Sequence, residues 1–190
     1  VGGVNEALWY ASRAAGIASI VLLTAVVVLG TVVAGRRRPH DDAATVVMAT
    51  HRWLSLATLA FIGAHVATAV GETYVSIDLV SAFVPFTSSY ATFWVGLGTL
   101  AVDLLVAVVI TSLLRHRIAE RAWRAVHWAT YALWGFAVVH GVALGTASEP
   151  LLRWTTALCG VVGLGAVVWR ASATTHDRER RRAIARQEWS

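Results

Sequence analysis

Histidine is the side chain best suited to bind a metal or pass a proton near neutral pH. The chain carries seven, at positions 40, 51, 65, 116, 127, 140 and 176. His40, His116 and His176 lie in polar segments and read as ordinary solvated side chains. His51, His65, His127 and His140 lie in long apolar stretches, where an ionisable group is costly and tends to be functional. His65 follows His51 by 14 residues, and His140 follows His127 by 13. In helices that rise 1.5 Å per residue, these are separations of about 21 Å and about 19.5 Å. Two such helices, side by side and running the same way, present one His pair at each of two depths: His51 with His127, and His65 with His140.

A pair of imidazoles facing each other across a gap is the geometry of bis-histidine haem ligation. With both axial positions filled, no site remains for oxygen or substrate on the iron, which favours electron transfer over bound-ligand chemistry. Two centres about 20 Å apart span most of a hydrocarbon core about 30 Å thick. A single zinc or copper ion cannot use all four histidines at that separation. Alternatives are a proton relay that Asp103 joins and plain structural hydrogen bonding. One feature of the spacing is irregular. Fourteen residues fall about 40° short of four full turns and keep His51 and His65 on one face, whereas thirteen fall about 140° short. Either a local distortion, for which Gly135 is the candidate place, or different azimuths of the two porphyrins accommodates this. Haem propionates favour charge-assisted hydrogen bonds, which makes Arg13 and Arg52 candidate cofactor-binding residues, with snorkelling to the interface as the other reading of Arg52. Phe61 and Trp134, between the two levels, read as core packing, with help to electron passage as the alternative. The lone cysteine, Cys159, excludes a disulfide within the chain and a thiolate-ligated iron–sulfur cluster, and reads as a small buried hydrophobe.

These histidines need membrane helices to position them. Of the 190 residues, 57% are hydrophobic and 14% charged, against about 45–50% and about 25% in globular domains. Five segments are long and apolar enough to span a bilayer as helix, over about residues 8–34, 49–70, 92–114, 126–146 and 151–169. The expected fold class is an all-α membrane protein with about five transmembrane helices, comprising a transmembrane di-haem domain over 1–170 and an Arg-rich tail over 171–190. The first apolar run is too long for a signal-peptide core and reads as a retained helix. The outer connection holds a short interfacial helix within Ser76 to Phe86. All 16 basic residues are arginine, against 11 acidic residues. Thirteen of those arginines fall at 36–38, 115–124 and 170–186, all on one side of the five-helix arrangement. The positive-inside rule then places the N-terminus outside and the C-terminus in the cytoplasm of a bacterial-type plasma membrane. Trp9, Trp94 and Trp154 fall near one interface and Trp53, Trp123 and Trp169 near the other, as aromatic belts require. Arginines that flank apolar runs signal topology and anionic lipid contact, not nucleic-acid binding. Gly96 to Ala101 matches a dinucleotide fingerprint but lies inside a membrane helix with no preceding strand, which discounts it. Gly141 and Gly145 form a GxxxG pair suited to close helix packing.

With these residues in view, the chain resembles the ferric reductase-like transmembrane family. That group includes eukaryotic NADPH oxidases, metalloreductases and the haem subunit of the bacterial methionine sulfoxide reductase system. The resemblance rests on the two His pairs, on Arg124 to Trp128 around His127, on His140 with Gly141, and on Trp9, Tyr10 and Arg13. It covers most of residues 7–170. It implies two b-type haems held by His51, His65, His127 and His140, and transmembrane electron transfer as the haem-carrying component of an oxidoreductase. Family oxidases and reductases carry a flavin and nicotinamide domain after the helices, whereas about 20 polar residues follow here, too few for one. The donor expected from the resemblance is therefore a cytoplasmic flavin reductase or a quinol. The acceptor outside is ferric iron, a quinone, oxygen or a redox protein. The contrasting class is a haem-free proton or ion transporter, or a structural membrane protein.

Overall fold

The computed structural model describes residues 2–34, 41–75, 77–145 and 149–188, with the side chains of 34, 41 and 173–188 outside the description. The arginines at 36–38, His40, residues 146–148 between the fourth and fifth apolar segments, and the side chains of His176 and of the tail arginines therefore lie outside the described residues. The described chain is helical, without strands: α1 (Gly2–Ala34), α2 (Asp41–Gly71), α3 (Leu79–Phe83), α4 (Thr92–Leu113), α5 (Glu120–Trp128), α6 (Thr130–Leu144) and α7 (Pro150–Glu188). Four of these, α1, α2, α4 and the Pro150–Ser172 part of α7, are long and apolar enough to cross a membrane. The all-α membrane class is as the composition requires.

The helix expected over 126–146 departs from expectation. It is interrupted at Ala129, which ends α5 and precedes α6. The Ala129 N–H bonds the Val126 carbonyl three residues back, closing a tight turn, and regular helix resumes with Leu133 N–H on the Ala129 carbonyl. The Thr130 hydroxyl donates to the His127 carbonyl at 2.7 Å, so a carbonyl at the break keeps a partner. The 15 residues of α6 reach about 22 Å, short of a bilayer core on their own. Gly135 lies within uninterrupted α6 and is not the site of the distortion.

Helix α1 is the centre of the bundle, packing on α2, α6 and α7, while α4 packs on α6. The core joins Ile20, Leu23 and Val27 of α1 to Ala101 of α4, Leu133 and Trp134 of α6, and Cys159 of α7. Small residues permit these approaches, as is usual in lipid, where apolar transfer gives helices little reason to associate. A Cβ on Gly163 would collide with the Trp134 indole, and one on Gly141 would lie 3.2 Å from the Thr156 methyl. Trp134 also donates its indole N–H to the Thr24 hydroxyl at 3.0 Å, which satisfies a polar atom that burial would otherwise penalise. Phe61, by contrast, is 43% exposed and does not belong to this core.

The connection after α2 folds back over one end of the bundle. Asn5 accepts the Thr73 N–H at 2.7 Å and ties it to α1. Asp78 caps α3, accepting the Ser81 N–H at 2.9 Å, and the Thr99 hydroxyl of α4 donates to the Ser81 carbonyl at 2.7 Å. The short helix expected between Ser76 and Phe86 is thus α3. Beyond α3, Phe86 takes a left-handed φ of 65° and lies against Gly96. Helix α7 crosses residue 170 without interruption and continues through the Arg-rich stretch to Glu188.

Candidate functional site

Helix α2, which carries His51 and His65, packs little on α5 or α6, which carry His127 and His140. Each is held from behind: α2 by α1, and α6 by α4 and α7. Between them, toward the end of the bundle where α1 begins, lies a cavity of about 250 Å³, far more than one water occupies. Ser12, Arg13, Gly16, His65, Gly98 and His140 are among its lining residues, and the lining is mostly apolar.

His65 and His140 face each other there, with ring centroids 6.3 Å apart and planes at 81°. The His65 Nδ1 lies 2.8 Å from the Ser12 carbonyl and 3.4 Å from the Ser12 hydroxyl. The His140 Nδ1 lies 2.8 Å from the Trp94 carbonyl. A carbonyl only accepts, so in each ring Nδ1 carries the proton and donates. The tautomer is thereby set and Nε2 keeps its lone pair for a metal. Metal–imidazole bonds are about 2.0–2.1 Å and a ring nitrogen sits about 1.1 Å from its centroid, so two imidazoles on opposite sides of one metal have centroids about 6.3 Å apart. The ring separation fits one iron held between His65 and His140.

The other pair is held differently. His51 and His127 are within electrostatic reach of each other, but both Nδ1 atoms are buried without a hydrogen-bond partner. The Val26 carbonyl lies near His51 without reaching hydrogen-bond geometry. His127 is stacked on Trp123, with centroids 4.9 Å apart and planes at 22°. The Arg115 guanidinium carbon sits 4.4 Å from the Trp123 centroid. The break at Ala129 falls between His127 and His140 and bears on their spacing. A 3₁₀-type turn advances 120° per residue in place of 100°, so three such residues recover about 60° of the 140° deficit.

Glycines of neighbouring helices let the imidazoles approach. A Cβ on Gly16 would lie 3.1 Å from the His65 ring, and one on Gly30 would lie 3.7 Å from the His51 ring. These two glycines are 14 residues apart in α1, as the two histidines are in α2, so one antiparallel register serves both levels. Sequence reasoning passed over this signal. It also set aside the glycines at 96–98, of which Gly98 meets His140.

Of the candidate arginines, Arg13 lines the cavity, with its guanidinium carbon 4.0 Å from the Trp9 ring centroid. Its Nε is buried without a partner, and Glu72, Tyr90 and Glu149 lie near it. Arg52 is exposed and does not line the cavity. Asp103 is part-buried in the middle of α4. Among the described residues no three His, Cys, Asp or Glu side chains converge as a metal cluster would need. His65 and His140 meet as a facing pair.

A family model described as ferric reductase like transmembrane component matches residues 15–138, a span that holds His51, His65 and His127 and ends two residues before His140. No curated protein and no solved structure matches the chain.

Proposed function

Because the chain belongs to the ferric reductase-like transmembrane family, we propose that this membrane redox component carries two b-type haems, one between His51 and His127 and one between His65 and His140, and moves single electrons across the bilayer. A haem with two imidazole ligands supplies a one-electron carrier with both axial positions filled. The observation that carries this reading is the His65–His140 pair: rings 6.3 Å apart, each Nδ1 engaged by a backbone carbonyl, on either side of an apolar cavity. A proton relay needs imidazoles free to exchange protons through both nitrogens, and here one nitrogen of each ring is committed.

The chain's own groups have distinct parts in this reading. Ser12 and Trp94 orient the two rings through their carbonyls. Gly16 and Gly98 give them room. Arg13, with its unpartnered Nε, offers a charge-assisted bond to a propionate. Arg52, exposed, holds a propionate of the second group only if its side chain turns inward. The clustered arginines support an orientation with the Arg115 end in the cytoplasm, in a plasma membrane, by the positive-inside rule. A flavoprotein reductase or a quinol delivers the electron on that side. It leaves on the Arg13 side to ferric iron, a quinone, oxygen or a redox protein.

The test is an absorption spectrum of the purified protein, oxidised and dithionite-reduced, with haem content per chain. Sharp b-type bands at two haems per chain, with one lost on His51→Ala and one on His140→Ala, support the reading. Protein that stays colourless after haem-replete expression overturns it.

A further inference from the structure

An interfacial belt predicts outward-facing rings at Trp53, Trp123 and Trp169. Trp53 and Trp169 are 71% and 51% exposed and fit it. Trp123 is half-buried, and its indole N–H is buried without a partner, whereas a belt tryptophan turns that group to water or headgroups. Its ring lies flat against His127 instead, with centroids 4.9 Å apart and planes at 22°. Arg115 rests on the same indole, its guanidinium carbon 4.4 Å from the centroid, as a cation–π contact.

The segment that carries both rings has little else to fix it. No residue of α5 is buried, its N-cap Ala119 makes no side-chain hydrogen bond, and it ends in the break at Ala129. The ion pair of Glu120 with Arg124 is internal to the helix. Trp123 and His127 are four residues apart and share one face. Arg115 belongs to the turn that leaves α4, so its contact with Trp123 ties that face of α5 to the end of α4. The Thr130 hydroxyl holds the His127 carbonyl, which fixes backbone and not ring. The His127 Nδ1 has no hydrogen-bond partner, and the torsion that turns an imidazole is intrinsically broad. The flat indole alongside is what restricts it.

We infer that Trp123, clamped by Arg115, is the positioning residue for His127: it fixes the plane of that imidazole and so the angle at which it meets an iron. This rests on the di-haem reading above. The angle between two axial imidazole planes sets the anisotropy of a low-spin ferric haem, so electron paramagnetic resonance reads the orientation of the ring and not merely its presence.

The experiment is the resonance spectrum of oxidised, haem-loaded protein, taken in the parent and on a His140→Ala background. Trp123→Phe keeps a flat ring and removes a donor that had no partner. Its low-field line should stay in place, with two haems per chain in the parent background. Trp123→Leu keeps bulk without a flat face, and its line should move and broaden. Loss of the His51/His127 haem in Trp123→Leu with retention in Trp123→Phe supports the inference equally. Arg115→Ala should broaden the same line to a lesser degree, and it serves if a Trp123 variant does not fold. Phe and Leu variants with one and the same spectrum, altered or unaltered, overturn the inference, as does an Arg115→Ala line identical to that of the parent. These outcomes leave the di-haem reading intact. Protein that binds no haem overturns the di-haem reading and this inference with it.

Discussion

Gly98 of α4 and His140 of α6 are packed so closely that a Cβ on the glycine would lie 2.6 Å from the imidazole Nδ1 and 2.7 Å from Cε1. The same Nδ1 donates to the carbonyl of Trp94, four residues before Gly98 and one helical turn away. One turn of α4 thus supplies both the hydrogen-bond acceptor for the ring and the space in which it lies.

It follows that Gly98→Ala displaces His140. The expected outcome is loss of the His65/His140 haem, read as a halving of haem content per chain with the fold retained. Gly16→Ala, where the ring would be 3.1 Å away, should weaken the same haem less. Gly30→Ala, at 3.7 Å from His51, is ordinary contact and should be tolerated. Equal haem content in all three variants would show that the glycines do not position the rings.

Trp134 is wedged between α1 and α7, bonded to Thr24 and pressed on Gly163. Trp134→Phe removes the indole N–H, while the Thr24 hydroxyl still donates to the Ile20 carbonyl. The lost hydrogen bond should cost about 0.5–1.5 kcal/mol, with a further cost for the cavity the smaller ring leaves. Gly163→Ala forces the indole aside and should cost about 1–3 kcal/mol as overpacking. Unfolding in detergent measures both. A larger loss for Trp134→Phe than for Gly163→Ala would place the weight on the indole's own hydrogen bond and packing volume and not on the close approach to Gly163.

At the α5–α6 break, Thr130→Val removes the hydroxyl that bonds the His127 carbonyl while keeping the side-chain shape. Destabilisation of about 0.5–1.5 kcal/mol is expected. The change should alter the spectrum of the His51/His127 haem and leave the other unaltered. A spectrum changed only at His65/His140 would contradict the assignment of the break to the His127 level.

The cap on α3 should depend on pH. The Ser81 hydroxyl and N–H hold the Asp78 carboxyl below its ordinary value of 3.8. A lowered folded value means that the cap contributes fully above the ordinary value and is lost as pH falls through the lowered one. Protection of the Ser81 amide from hydrogen exchange should therefore persist down to that ordinary value and fade below it. In Asp78→Ala it should be weak at every pH. Protection in the parent protein that does not change with acid would remove Asp78 from this role.

The membrane class and four of the five apolar spans were legible in the chain, because apolar length is read directly against bilayer thickness, and the facing of His65 and His140 followed from helix rise, a local property. The register of α1 on α2 was half legible: Gly16 and Gly30 repeat the 14-residue interval of His51 and His65, but the match has meaning only once the two helices are neighbours. The partners of the rings were not legible at all. Ser12 and Trp94 act through backbone carbonyls, and every residue has one. Only the way α1 packs on α2 and α4 on α6 decides which carbonyl meets which imidazole. The break at Ala129 likewise leaves no mark in residue type, since alanine is the best of helix formers. Tertiary packing overrides that local preference and leaves the His127 and His140 rings held in different ways.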